Sequence, residues 1–363
     1  MLSAGRPVVW SAELLGNGRA VTRRTDIAEV ARHARVSKST VSRVINGGYA
    51  SAEVRMRVGK VIQKLGYTPW TTARNFSLGR AGCVGLVMET TQGQWMTQIL
   101  GGIEAELTSK HLSLLVGSLV LRERYDSTTV SSWIRDRRVD GIIFVSPKQR
   151  ERQLVESARR AGLAIVLIEP DDEFQGYEVF RSDNVAAGKA IAEHLYQFGH
   201  RRIAFVGGPQ ESVDTRQRLE GLTEGLAAFK VKLPESQVIF ARYHKEAGVE
   251  YAKRWLRTSR SRAPTAVVLG NDIMAVYFMR TLQAAGVGIP KEVSVVGFDD
   301  TPAASMYWPG LTTVRQEMRE MGEAASRFLL ASVEGKSSTG RTHEFPMSLV
   351  PRESTGTAPD PQG

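Results

Sequence analysis

Cysteine is nearly missing from this chain: Cys83 is the only one in 363 residues. A lone thiol excludes an internal disulfide framework and a thiolate-rich zinc site, and it fits the reducing cytoplasm. Long apolar runs are missing too. No stretch reaches the roughly 18 residues of a transmembrane helix, and the first twenty residues lack the apolar segment of a signal peptide. The six histidines show no metal-ligand spacing. Neither a nucleophile elbow nor a phosphate-binding loop occurs. Those gaps argue against an enzyme, a cofactor and a metal. No fixed-period repeat or low-complexity tract appears.

What is present is a globular composition, 42% hydrophobic and 24% charged, in a chain long enough for two or three domains. The net charge of +10 is unevenly placed. Residues 1–80 hold 14 Lys+Arg against 4 Asp+Glu, whereas residues 81–363 hold 34 of each. A basic head on a neutral body reads as a polyanion-binding module. A solvated basic tail or a membrane-surface patch would share that charge, so pattern must decide.

Three short helical patterns run from Asp26 to Leu65. Asp26 can cap the first, whose Ile27, Val30, Ala31 and Ala34 share a face. Ser37 can cap the second, "SKSTVSRVIN", with Val41, Val44 and Ile45 on its apolar side. Val54, Val58, Val61, Ile62 and Leu65 stripe the third. None could bury its stripe alone, so the three are expected to pack as a bundle. The connection "ARVS", residues 34–37, has the length used in helix-turn-helix units. That geometry lays the second helix in the major groove of double-stranded DNA. Lys38, Ser39 and Arg43 are then placed to read bases, and Thr40, Ser42 and Asn46 to hold phosphates. The alternative is that this polar face simply meets water. The following segment, "GYTPWTTARNFSLGR", is too short to be a stable helix alone and reads as a linker.

From Cys83 onward, short apolar runs alternate with helical patterns: "CVGLVM", "LSLLVGS", "GIIFVS" and "AIVLIE", then "RIAFVGG", "SQVIFARY", "TAVVLGN" and "VSVVGFD". Alternation of this kind predicts parallel sheets covered on both faces, and the length favours two lobes with a cleft between them. Ligands of open α/β sheets bind beyond the carboxyl ends of the strands. That rule singles out Arg218, Asn271, Asp272, Asp299 and Asp300. An arginine, an amide and a carboxylate would suit a hydroxyl-rich ligand, although Asn and Asp also cap helices after strands. Residues beyond Pro351, rich in Pro, Gly, Ser and Thr, are expected to be disordered.

The stretch "DIAEVARHARVSKSTVSRVINGG" resembles the headpiece of the lactose-repressor/galactose-repressor (LacI/GalR) family of bacterial regulators. "GHRRIAFVGGP", "RLEG", "LGND", "VSVVGFDD" and "LTTVRQ" are similar to that family's later hallmarks, in family order, so the resemblance runs from Arg23 to Glu353. It implies an α/β protein with an N-terminal all-α helix-turn-helix headpiece and a periplasmic-binding-protein-like core of two α/β lobes with parallel sheets. It also implies a homodimeric repressor on a palindromic operator, controlled by a small-molecule effector such as a sugar or sugar derivative. Arg218, Asn271 and Asp299 match effector-contacting positions, and Tyr243 matches an aromatic residue that stacks on the ligand. Phe76 matches a leucine that wedges into the minor groove from a hinge helix, the alternative being packing at a domain junction. Ala73 and Arg74 fit the family's hinge; Trp70 and Asn75 depart from it.

Two further departures stand out. Arg35 occupies a position where the family has glycine. In the first loop, "TTQGQWM" replaces an aspartate and an Asn-Pro-Phe-Phe stretch, leaving Trp95 either as an aromatic pocket wall or as lobe core. The expected division is a flexible extension over 1–22, a helix-turn-helix domain over 23–68, a hinge over 69–81, a core over 82–350 and a disordered tail over 351–363. Within the core, lobe 1 takes 82–182 and 313–341, and lobe 2 takes 183–312 and 342–350. The extension has no periodic pattern and also fits an upstream start codon, with the natural beginning near Val21. Rival readings are a regulator answering to a partner protein, a solute-binding protein and an enzyme. The basic head and the missing export signal oppose the solute-binding reading.

Overall fold

The computed structural model describes residues 25–45, 48–67, 80–89, 94–121, 124–170, 174–336 and 340–359. The 1–22 extension, Asn46, and Trp70, Ala73, Arg74, Asn75 and Phe76 of the expected hinge lie outside these residues, as do Thr90 and the end of the tail. Residues 1–79 and 80–363 form two compact units.

In the first unit, α1 (Ile27–Ala34), α2 (Lys38–Ile45) and α3 (Ala52–Leu65) bury Val30, Ala31, Ala34, Val41 and Val58 at their junction. Each helix starts at a side chain that satisfies an otherwise orphaned amide. Asp26 accepts from the Glu29 amide at 2.7 Å, Ser37 from the Thr40 amide at 3.1 Å, and Ser51 from the Val54 amide at 3.3 Å. Arg35 ends α1 in the left-handed region at φ 53°, which explains why glycine would suit that position.

The second unit begins with β1 (Cys83–Met88), α4 (Gln94–Ser109), β2 (Ser113–Ser118), the short pair β3 (Val120–Leu121) and β4 (Arg124–Tyr125), α5 (Thr128–Arg135), β5 (Gly141–Val145), α6 (Arg152–Arg160), β6 (Ala164–Ile168) and β7 (Glu178–Ser182). The chain then runs through α7 (Asn184–Gln197), β8 (Ile203–Gly207), α8 (Val213–Ala228), β9 (Val238–Phe240), α9 (Lys245–Arg257), β10 (Ala266–Leu269), α10 (Asp272–Ala284), β11 (Ser294–Val296) and α11 (Pro302–Met306). It closes with β12 (Thr313–Gln316), α12 (Met318–Val333), β13 (Thr342–Phe345) and β14 (Met347–Val350). Lobe 1 is a parallel sheet in the order β13-β7-β6-β5-β1-β2, and lobe 2 a parallel sheet in the order β11-β10-β8-β9. Strands such as β5 and β10 are apolar at every position because helices cover both sheet faces.

Strand pairing corrects two sequence-based boundaries, and hydrogen bonding corrects a third. β12 belongs to lobe 2: Val314 lies in that lobe's core, and the ribbon β12–β14 continues its sheet through the Val296–Thr312 bridge. The second crossing between lobes therefore falls at Glu317, not between residues 312 and 313. β13 pairs with β7 of lobe 1, which moves the third crossing from Arg341 to Pro346. The expected disordered tail is ordered through residue 359. Ser354 is fully buried, its hydroxyl donating to the Val295 carbonyl at 2.6 Å, and the Ala358 amide donates to Phe198 at 2.8 Å. The polar composition read as disorder instead supplies partners to the backbone at the edge of lobe 2.

Candidate functional site

In the first unit, Lys38, Ser39 and Arg43 project from α2 and are exposed, while Thr40 and Ser42 are half-buried. Thr40 Oγ1 lies 2.8 Å from Ser37 Oγ, so its hydroxyl also helps hold the cap. The exposed cations of α1, its C-cap and α2 (Arg32, Arg35, Lys38 and Arg43) give this bundle a basic surface beside the turn. Tyr49, just after α2, is a 90% exposed aromatic.

The second unit gathers its polar side chains at the carboxyl ends of strands. Arg218 sits one turn into α8 and is buried. That helix lies against α7 because Gly221 meets the Val185 backbone, where an added Cβ would stand 2.1 Å from the carbonyl oxygen. The close approach brings Arg218 Nε to Asn184 Oδ1 at 2.8 Å. Nη1 donates to the Gly270 carbonyl at 2.7 Å, Nη2 lies 3.7 Å from Asp214, and the guanidinium covers the Phe298 ring at 4.3 Å.

Tyr243 lies over the loops that follow β8 and β10. A Cβ on Gly208 would fall 2.2 Å from its ring, so glycine is required there. Its hydroxyl donates to Asp214 at 2.8 Å and lies 2.7 Å from Thr215 Oγ1. Burial first, then the neighbouring Asp214 charge, pushes this phenol well above its usual range. Asn271 caps α10, accepting from the Met274 amide at 3.0 Å, and its amide nitrogen donates to the Tyr243 carbonyl at 3.3 Å. The capping alternative thus holds for Asn271, without removing it from the cluster.

Asp299 follows β11 with φ 105°, a strained backbone for a residue with a side chain. Gln316 donates to its Oδ1. Burial raises this carboxyl to about 8, with Arg218 opposing the rise. Asp272 and Asp300 do structural work instead. Asp272 is buried and accepts from the Thr301 amide at 2.7 Å and from the hydroxyls of Thr301 and Thr313. Asp300 pairs with Arg315 at 2.8 Å and with Arg352.

The structure adds residues that the strand-end rule did not single out. Glu169 follows β6 at φ 48° and accepts from the Ser182 amide at 2.8 Å. Burial raises its carboxyl to about 7, with Ser182 and Arg218 opposing. Asp214, Asn184, Ser182 and Gln316 complete the set. Glu169 was legible as the polar residue ending "AIVLIE"; the partners of Ser182 and Gln316 depend on lobe pairing. Trp95 lies apart, half-buried in the first turn of α4 against the lobe 1 core, with no hydrogen bond to this cluster among the described residues. No group of His, Cys, Asp and Glu among the described residues could hold a metal ion, and no described helix is long and apolar enough to cross a membrane.

Residues 26–69 match the model for bacterial regulatory proteins of the lacI family, and residues 192–355 match that for a periplasmic binding protein-like domain. The regulator DegA of Bacillus subtilis (strain 168) is 30% identical over 335 residues, spanning 92% of this chain and 98% of DegA. The chain belongs to the LacI family. The Lac repressor dimer bound to operator and the anti-inducer ONPF superimposes with a TM-score of 0.80 at 27% identity, covering 92% of this chain and all of that one. The regulator CelR in complex with cellobiose gives a TM-score of 0.69 at 27% identity, over 91% of this chain and all of that one. This LacI-family protein is accordingly a DNA-binding transcriptional regulator with an effector-binding core, and not an enzyme.

Proposed function

We propose that the protein represses transcription as a homodimer on a palindromic operator, and that a sugar or sugar derivative in the cleft sets its hold on DNA. The observation that carries this reading is the convergence of Arg218, Tyr243, Asn271 and Asp299 at strand ends, in a chain whose other unit is a basic helix-turn-helix bundle. The Lac repressor and CelR complexes support it, since one holds operator with a small molecule and the other a disaccharide. In this reading Lys38, Ser39 and Arg43 face bases, and Thr40, Ser42 and Asn46 face phosphates. Phe76 wedges into the minor groove. Tyr243 offers a flat face to ligand C–H groups.

An effector alters operator affinity only through unequal affinity for two states of the body. Coupling of about 1–3 kcal/mol is typical. The test is fluorescence anisotropy on a selected operator duplex with a panel of sugars and nucleosides, for the wild type and Arg218→Ala. The expected outcome is that one compound class shifts wild-type affinity about 5- to 150-fold and leaves Arg218→Ala unmoved while it still binds DNA. A normal response in Arg218→Ala would refute the site.

A further inference from the structure

The charges in the cleft specify more about the ligand, on the understanding that the cleft is the effector site. Three carboxyls, Glu169, Asp214 and Asp299, share one cation, Arg218. Arg218 is already engaged by Asn184, Gly270 and Asp214. Asp214 is itself saturated, accepting from the Thr215 amide, the Ser212 hydroxyl and Tyr243.

Glu169 and Asp299 are left without a cation of their own. They come from opposite lobes, one after β6 and the other after β11. Each residue is half-buried as a whole, with its carboxyl turned inward. Among the described residues Glu169 takes hydrogen bonds from Ser182 alone, and the Asp299 side chain from Gln316 alone. Those two partners are joined: the Ser182 hydroxyl donates to Gln316 Oε1 at 3.3 Å. A continuous relay, Glu169–Ser182–Gln316–Asp299, thus links the two carboxyls through residues that adjoin crossings between the lobes. With both ionised, above about pH 8, two like charges on opposing lobes resist closure, and below that pH they are held protonated; a neutral hydroxyl group alters neither state. A cation placed between them turns repulsion into attraction, and charge-assisted hydrogen bonds are the stronger kind.

We propose that the effector is a polyhydroxylated molecule bearing a protonated amine, an amino sugar in chemical class, whose ammonium group bridges Glu169 and Asp299 and draws the lobes together.

Calorimetry on the full chain tests this with matched probes: glucosamine, galactosamine, mannosamine and the fully deacetylated chitin disaccharide, each against its N-acetylated counterpart. The expected result is that one amine binds about tenfold or more tighter than its N-acetyl partner. Glu169→Gln and Asp299→Asn, both isosteric, should abolish that preference while operator binding persists. Two results overturn the proposal: no amine binds, or the neutral member of every pair binds as well as the amine. If a neutral sugar releases the operator, the amine is wrong and the effector reading stands. If the operator responds to no compound in either panel, the effector reading fails as well.

Discussion

At the scale of single residues, the account turns on where charge lies relative to water. Glu169 and Asp299 have carboxyls raised to about 7 and about 8, above the usual range of an unfolded chain, chiefly through burial. Their contribution to stability is therefore full at low pH and lost as pH rises through those values. Asp214 and Asp272 add negative charge nearby, Arg218 offsets part of it, and the Tyr243 phenol stays neutral throughout. The body should lose thermal stability as pH rises from about 4, where the unfolded carboxyls ionise, to about 8, and the double variant Glu169→Gln, Asp299→Asn should flatten that slope. Calorimetric melting across the range checks this; a midpoint independent of pH would contradict it. Arg35 supplies a second residue-scale prediction. Its left-handed backbone predicts that Arg35→Gly stabilises the head by about 1 kcal/mol, measured by denaturant unfolding followed in that unit. Arg43→Ala should cost about 1–3 kcal/mol of base discrimination, seen as flattened affinities across single-substitution operator variants.

At the scale of elements, the helices of the head and the apolar strands of the body were legible because each carries its own local signal. Periodic apolar faces marked α1 to α3, and Asp26, Ser37 and Ser51 supply side-chain caps where helices begin. Unbroken apolar runs marked β1, β5, β6, β8 and β10. The edges were not legible. β13, with alternate exposed positions, resembles surface chain until its pairing with β7 is seen. The segment after Val350 reads as disordered by composition, yet its Ser354 hydroxyl serves the backbone at Val295 and Thr312, and its Thr355 hydroxyl pairs with that of Thr312. Ser354→Ala should therefore destabilise the body by about 1–3 kcal/mol, because the Thr312 amide and the Val295 carbonyl lose a buried partner. Chemical denaturation would show the loss, and an unchanged midpoint would mean that the ordered tail is not held by this residue.

At the scale of the whole molecule, charge and topology separate two tasks. The basic surplus lies in the first eighty residues, the net-neutral remainder builds two lobes, and the strand-end rule singles out Arg218, Asn271, Asp272, Asp299 and Asp300, of which Asp272 and Asp300 hold structural partners. What the rule could not supply was the pairing across lobes, because Glu169, Ser182, Gln316 and Asp299 are far apart in sequence and meet only through the crossings. Trp95 shows the opposite case: an aromatic residue near a strand end reads equally well as pocket wall or core, and its neighbours here are the lobe 1 core. The central claim is that one chain joins a sequence reader to a cleft that governs it. Selection of bound duplexes from a random pool by the purified full-length protein, followed by affinity measurement over a salt series, tests the reader most directly. The account predicts enrichment of an inverted repeat whose affinity falls steeply with salt. Recovery of no preferred sequence, or of one bound equally well at every salt concentration, would contradict it.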